Sequence, residues 1–498
     1  MVNKVYSYIT SKRTISWLII IVSGLFVISL YHRYIYIDDA WFGEQAYWFS
    51  QLGYVKTSTI IDFYGWDNHL FVYHKLNIIL GSILIKLFGW SPEPFRIFTL
   101  TIFLFFLFLI YKSIKKNSEQ WSGIELYFVM FFVILNPQTI LYAYTFRPEI
   151  LVMSLGFASF LLLFGNQKIS KIVLSGILAG TAVLVHLNGA MFVVAGFIIL
   201  LLRKEIKFSI IFGFFAAIII CFYFYDLQEP GNFDTFLFQI KNWPDDITTN
   251  YANEGWISLV LNAIVKLSSE HQRFFWSHDV WGLSAIAIFA LVAKGKTLWR
   301  KYKELIVYTL VADLSLNIFG SHIAEVNMLL LLPFLALIAA AFLSELKNNA
   351  NSPVIKSMTV VIIIFQIAVV IFGFVNIIKQ HEQITEVSRA TLSGFPDNQE
   401  RILVPYRFVF NELPSKNLIS YKTMEYHQVE HGSKFTKEEF LDLAEKLDIY
   451  YMVVSSEMYA KSNSMYPWMH AEFSDIDDTY KYIKLRINKD QNTLERIK

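Results

Sequence analysis

Charge is scarce in this chain. Of its 498 residues only 17% are Asp, Glu, Lys or Arg, against roughly 25% in a typical soluble domain. Apolar side chains fill the difference at 55% of the total, and a mean hydropathy of +0.43 excludes a wholly soluble protein. Cysteine is nearly missing. Cys221 stands alone in an apolar run, so no disulfide forms within the chain and the redox compartment is not legible. A net charge of +2 gives no footing for nucleic acid. The chain also lacks a P-loop, a G-x-G-x-x-G opening a helix after a strand, a G-x-S-x-G and any cysteine cluster. Nucleotide-driven transport and serine-hydrolase chemistry are left without their usual signatures.

The charge that is present lies at one end. From residue 380 onward 34 of 119 residues are charged, against 50 of the preceding 379, and this tail is acidic, with 15 basic and 19 acidic residues. The pattern predicts a polytopic α-helical membrane part over residues 1–379 and a small soluble α/β domain over 380–498. Lys4, Lys12 and Arg13 precede the first apolar stretch, and no small-residue cleavage site follows it. It reads as an uncleaved helix with its basic flank in the cytoplasm. Basic loops at 112–116, 168–171, 203–207 and 294–303 are then cytoplasmic, and the HLNG turn at 186–189 joins two short spans on the outer face. Further spans are expected over 122–142, 150–165, 208–225, 281–293, 305–320, 328–343 and 357–377. Outer loops cover 36–70 and 227–279. Residues 70–88 fit a partly embedded outer helix, which gives about 11 spans; full crossings at both 70–88 and 97–111 stay open, so the expected count is about 11–13. In the tail, 401–405, 417–421, 449–456 and 480–487 are strand-like. Residues 436–447 are an amphipathic helix, with Thr436 as cap, Glu439 at the capping-box position and Phe440, Leu443 and Leu447 on one face.

Polar residues at the outer ends of the spans are the candidates for chemistry. Asp38 and Asp39 stand where the first helix leaves the membrane. Adjacent carboxylates repel, which raises one pKa and suits that group to accept a proton from an attacking hydroxyl. Arg147 and Glu149 flank Pro148 at a helix start, where a cation opposes the helix dipole and a phosphate partner would account for it. His186 and Asn188 sit in the HLNG turn, and Asp67, Asn68, His69 and His74 lie together in the run WDNHLFVYH. His69 and His74 are five apart, a poor metal spacing on a helix. Each candidate also has a plain structural reading as a helix cap or a satisfied polar group. The pairs Asp245–Asp246 and Asp477–Asp478, in polar loops, read as solvated.

In their order these features resemble the GT-C glycosyltransferases, and within them the protein-mannosyltransferase-like group that includes the lipid A aminoarabinose transferases. DDAWFGEQAYWFSQLGY is similar to the D-E…A…G opening of that family's first outer loop. HLFVYHKLNIILGSILIKLFGWSPEPFR resembles its H-P-P-L…K-L-F-G-x-S…R stretch, FRPEILVMSLGFASF the next loop and helix, and LSGILAGTAVLVHLNGAMF its G…G…H-x-N/T-G segment. The match covers residues 15–202; the remainder agrees in architecture. His69-Leu70 replaces the usual Pro-Pro, and Asp39 replaces the commoner Glu.

The resemblance implies a GT-C-like fold and an inverting glycosyltransferase. Its donor would be a monosaccharide on a polyprenyl phosphate, and its acceptor a hydroxyl on a lipid, a glycan or a protein. Asp38 takes the place of the catalytic aspartate and Asp39 of its acidic neighbour. Glu149 falls at a second acidic position, and Asp67 and Asn68 precede the helix where donor contacts lie. Arg147 is the foremost candidate for the phosphate cation, with Arg96 second. No cofactor is called for, and a divalent metal stays open. The expected location is a bacterial inner membrane, with the site and the C-terminal domain on the periplasmic or outer face. A transporter or lipid flippase with an accessory outer domain is the rival; it would place charges within the spans and repeat its halves, and no repeat is visible.

Overall fold

The computed structural model describes residues 2–116, 123–164, 168–243, 264–319, 325–348, 353–379, 384–395, 400–455, 458, 465–473, 482–488 and 493–497. Asp245–Asp246, Asp477–Asp478 and the boundary residue Gln380 lie outside the described residues. A short helix α1 (Val2–Ile9) leads into α2 (Lys12–Leu30), capped by the Ser11 side chain. Beyond α2 the chain turns at once into α3 (Ile37–Leu52), so much of the first outer loop is helical. It continues as α4 (Lys75–Phe88), α5 (Pro92–Lys116), α6 (Ile124–Ile134), α7 (Pro137–Tyr142), α8 (Glu149–Leu163), α9 (Ile169–Val185), α10 (Ala190–Leu202), α11 (Ile206–Cys221) and α12 (Asn232–Lys241). Then come α13 (His271–Phe275), α14 (His278–Phe319), α15 (Met328–Asn348) and α16 (Pro353–Lys379).

Six of these helices are long and apolar enough to cross a membrane (α2, α5, α11, α14, α15 and α16), and four shorter apolar ones accompany them. The 42 residues of α14 are broken by non-helical backbone at Lys294 and Tyr302, inside the basic stretch expected as a cytoplasmic loop. Its two limbs are the two spans read from the sequence, and counting them apart gives eleven apolar segments among the described residues. The protein is an integral membrane protein. Helix α15 is the hub, with 94% of its apolar window buried, whereas α2 has 17% buried and presents most of its surface outward. At 14 residues, α4 spans about 21 Å, short of a ~30 Å hydrocarbon core. Close packing elsewhere depends on glycine. A Cβ at Gly176 or Gly180 of α9 would lie 2.5 Å or 2.6 Å from a backbone oxygen of α11, so these residues let the two helices approach.

One expected span differs. The described residues of the 122–142 segment form not one helix but α6 and α7, parted at Asn136–Pro137. Pro137 cannot donate the hydrogen bond that would continue α6. Asn136 instead caps α7, its side chain accepting from the backbone N–H groups of Gln138 and Thr139.

The C-terminal region adds α17 (Ile384–Leu392), β1 (Arg401–Val404), α18 (Val409–Glu412), β2 (Leu418–Ser420), α19 (Tyr421–His431), α20 (Lys437–Lys446), β3 (Ile449–Ser455), α21 (Pro467–Phe473), β4 (Tyr482–Asn488) and β5 (Thr493–Arg496). The sheet order is β2-β1-β3-β4-β5. β1 pairs in parallel with β2 and β3, and β3-β4-β5 is antiparallel. Thr436 and Glu439 form the expected capping box on α20. The last strand, β5, was not expected: TLER carries little of the β-branched signal. A separate apolar cluster joins this region to the membrane part, with Tyr406, Val409 and Phe410 packed among Phe42, Trp66, Phe95 and Phe146.

Candidate active site

The two adjacent aspartates at the start of α3 have different surroundings. Asp39 is buried, with 2% of its side chain exposed. Its Oδ1 accepts from the Phe146 N–H at 2.6 Å, and its Oδ2 accepts from the Tyr36 N–H at 3.0 Å. Arg96 approaches Oδ2 at 3.4 Å and also donates to the Tyr34 carbonyl at 2.7 Å. Asp39 therefore caps α3 and ties it to the segment carrying Arg147. Arg96, expected as a second phosphate cation, is buried and committed to this joint.

Asp38 keeps 28% of its side chain exposed. One oxygen is held by Arg147 Nη1, whose Nε and Nη2 grip Glu149 at 3.0 Å and 2.7 Å. Tyr142 lies under the guanidinium, 5.0 Å from ring centroid to carbon. A cation at the start of α8 is thus accounted for by two carboxylates rather than requiring a phosphate. Of five guanidinium N–H groups, three are used by these carboxylates. Burial raises the Asp38 pKa above its ordinary 3.8, Arg147 opposes that, and Glu149 and Asp39 add to it. The repulsion expected from the adjacent pair is present, but burial is the leading cause.

His186 extends the cluster. Its Nδ1 accepts from the Asn188 N–H at 3.0 Å, and its ring stacks on His74 with centroids 4.3 Å apart. The Asn188 side chain donates to Asn327 at 3.1 Å, which places it as a brace between turns. Burial pushes the His186 pKa down to about 4, with Glu149 resisting, and burial likewise lowers His74 well below 6.5. Both rings are therefore neutral near pH 7. Of the candidates in the WDNHLFVYH run, His74 is the one whose stacking on His186 places it beside the acidic cluster.

Asp67, Asn68 and His69 are placed elsewhere, in a turn at Gly65. None makes a polar contact with Asp38, Arg147 or Glu149 among the described residues. His69 packs between Tyr54 and Phe71, with centroids 4.9 Å and 3.8 Å away, and its carbonyl accepts from Gln239 of α12. It lies near a second polar centre that the sequence reading missed. Lys75, 2% exposed, opens α4 with its Nζ 2.5 Å from Asp226 and 3.0 Å from the Phe71 carbonyl. The ammonium lies 3.8 Å from the centroid of the Tyr73 ring, and the rings of Tyr223 and Tyr225 complete the enclosure. The available signal was the polar pair Tyr73–Lys75 and the F-Y-F-Y-D run ending at Asp226, both at edges of apolar stretches. The start of α4 thus separates two centres, with His74 toward the carboxylates and Lys75 toward Asp226.

Among the described residues no group of three or more His, Cys, Asp or Glu side chains is placed to hold a metal ion. What the site offers is a partly open carboxylate with a raised pKa and a buried guanidinium with N–H groups left over.

No family model matches the chain, and no curated protein matches its sequence. Solved structures do share its fold. ArnT from Cupriavidus metallidurans, a lipid A aminoarabinose transferase, is 13% identical in its apo state, with a TM-score of 0.56 over 90% of this chain and 94% of that one. The same enzyme bound to undecaprenyl phosphate gives 11% identity and a TM-score of 0.56 over the same shares. The oligosaccharyltransferase AglB from Archaeoglobus fulgidus, in complex with an inhibitory peptide and a dolichol-phosphate, is 11% identical with a TM-score of 0.54, covering 98% of this chain and 74% of that one. At such identities the likeness is one of architecture, and the architecture is the GT-C fold of membrane glycosyltransferases.

Proposed function

We propose that the chain is an inverting glycosyltransferase that moves a monosaccharide from a polyprenyl phosphate to an acceptor hydroxyl on the outer face of a bacterial inner membrane. The observation that carries this reading is Asp38: partly open, raised in pKa, and fixed on one side by Arg147, which Glu149 holds in turn. Its free oxygen accepts the hydroxyl proton as the acceptor oxygen bonds to the anomeric carbon. The bond from that carbon to the phosphate oxygen breaks on the opposite face, and polyprenyl phosphate departs with the electron pair. Phosphate is a fair leaving group, so orientation and nearby positive charge supply much of the needed stabilisation. Arg147, with guanidinium N–H groups left over, is the cation assigned to that task. Asp39 positions the Arg147 segment rather than exchanging protons, and Glu149 holds Arg147 in place.

Two further features support the donor class. ArnT binds undecaprenyl phosphate and AglB a dolichol-phosphate, and this chain shares their fold. An apolar groove between α5, α8 and α9, lined by Phe98, Phe105, Leu151, Leu155, Leu162 and Leu178, begins two residues beyond Arg96 and Glu149 and suits an isoprenoid tail. The test is donor choice. Purified protein in lipid nanodiscs should transfer sugar from a polyprenyl-phosphate monosaccharide; transfer from a soluble nucleotide sugar alone would overturn the proposal.

A further inference from the structure

Glu44 is a carboxylate that the proposed reaction does not use, and it is fully buried on α3. A buried charge costs more than an apolar side chain of the same size unless donors surround it. Here they do. One oxygen accepts from the N–H groups of Ser58 and Thr59 at 2.7 Å and 3.0 Å and from the Ser58 hydroxyl at 3.2 Å. The other accepts from the Thr59 hydroxyl at 2.5 Å and from the Tyr406 hydroxyl at 2.8 Å. Tyr406 belongs to the C-terminal region, 362 residues away in sequence. The same region reaches the other side of this loop, where the Thr59 carbonyl accepts from the Ser420 N–H at 2.7 Å and the Thr423 hydroxyl at 3.0 Å.

A second path runs beside the first. Phe410 presses on α3 where Gly43 has no side chain; a Cβ there would lie 2.4 Å from the Phe410 ring. Phe410 stacks on Trp90 at 4.5 Å and meets Phe95 at 5.6 Å, and Phe95 packs on Phe146 at 4.4 Å. Phe146 is the residue whose N–H Asp39 holds, immediately before Arg147. The C-terminal region therefore bears on both halves of the proposed site, on α3 with Asp38 and on the segment with Arg147.

We propose that Glu44 is a positioning residue that, with Tyr406, latches the C-terminal region onto α3 and thereby sets the placement of Asp38 against Arg147. A leucine at position 44 would pack without a desolvation cost, but it would fix neither the loop nor Tyr406 in register. Specifying one arrangement is the attested use of such buried polar groups.

The test uses the full chain. Tyr406→Phe removes one hydroxyl and little volume, and Glu44→Gln keeps one acceptor oxygen but replaces the other with an NH2 group that faces donors. A hydrogen bond to a charged group is worth roughly tenfold or more in a local equilibrium. Amide hydrogen exchange across Ile37–Leu52 should therefore rise by about tenfold or more in either variant. The control Tyr466→Phe removes a buried hydroxyl of the same region that donates to the Tyr421 carbonyl, and it should leave α3 exchange at the wild-type level. In the transfer reaction, which rests on the proposed function, kcat should fall by about tenfold with the donor KM within about twofold of wild type. Unchanged exchange in α3 for Tyr406→Phe would overturn the latch, as would faster exchange with undiminished kcat. Exchange needs no substrate. A latch that responds as stated in a protein inactive toward polyprenyl-phosphate sugars would count against the assigned reaction and leave the latch standing. If Glu44→Gln does not accumulate, Tyr406→Phe carries the test alone.

Discussion

Asp39→Asn separates a positioning carboxylate from a reacting one. Asp39 accepts two backbone N–H groups, from Phe146 and Tyr36, on different oxygens, with Arg96 beside the second. An asparagine keeps one acceptor and turns its amide toward the other N–H. One buried donor is left unmatched, at about 1–3 kcal/mol. Arg96 loses its carboxylate as well, but that contact is long at 3.4 Å and the Tyr34 carbonyl remains, so the lower end of the buried-pair range, about 3 kcal/mol, bounds that part. The unmatched N–H alone, at about 1–3 kcal/mol, corresponds to roughly five- to a hundredfold faster opening, and any Arg96 contribution adds to it. Hydrogen exchange in peptides covering Tyr36–Ala40 and Thr145–Arg147 should rise by that order, with α15 unaffected. Turnover should fall, but less than for loss of Asp38. Wild-type protection at Phe146 in Asp39→Asn would refute the assignment of Asp39 as the joint.

Other outcomes follow from the same geometry. Arg147→Lys keeps the charge but loses the fork that spans Glu149 and Asp38, so kcat should recover only part of what Arg147→Ala loses. Activity needs ionised Asp38, so kcat/KM should fall as pH drops through a value above 3.8; Arg147 lowers that pKa, so Arg147→Gln should move the acid limb to higher pH. His186 and His74 are held neutral, with folded pKa values below the ordinary 6.5. The unfolded chain therefore binds more protons as pH falls from 6.5 toward 4, and the thermal midpoint should drop across that window, less so in His186→Gln. With Cys221 replaced, a cysteine at Ser433 should react with a membrane-impermeant reagent in intact cells and one at Lys296 should not; the reverse pattern would invert the proposed orientation.

Local patterns in the sequence disclosed local structure. The apolar runs, the HLNG turn, the basic stretch that breaks α14 and the Thr436 capping box each depend on residues a few positions apart. The division at Asn136–Pro137 was also present locally, but unbroken apolarity on both sides concealed it. What could not be read is set by contacts across the chain. Asp38 and Asp39 are indistinguishable in sequence because Arg147 and the Phe146 N–H, more than a hundred residues away, decide which is open and which is spent. Lys75 likewise has its partner, Asp226, 151 residues away. Glu44 carries no local signal of its role, because Tyr406, which donates to it, lies 362 residues away. Arg96 looked available and is occupied for the same reason.

The most direct test of the account is the single-turnover rate of sugar transfer from a polyprenyl-phosphate donor in wild type and Asp38→Asn, with folding of both verified by hydrogen exchange. A general base contributes about 10²–10⁴-fold, so the variant should fall by at least that lower factor with α3 protection unchanged. A correctly folded Asp38→Asn that retains more than about a tenth of the wild-type rate would contradict the assignment of Asp38 as the proton acceptor.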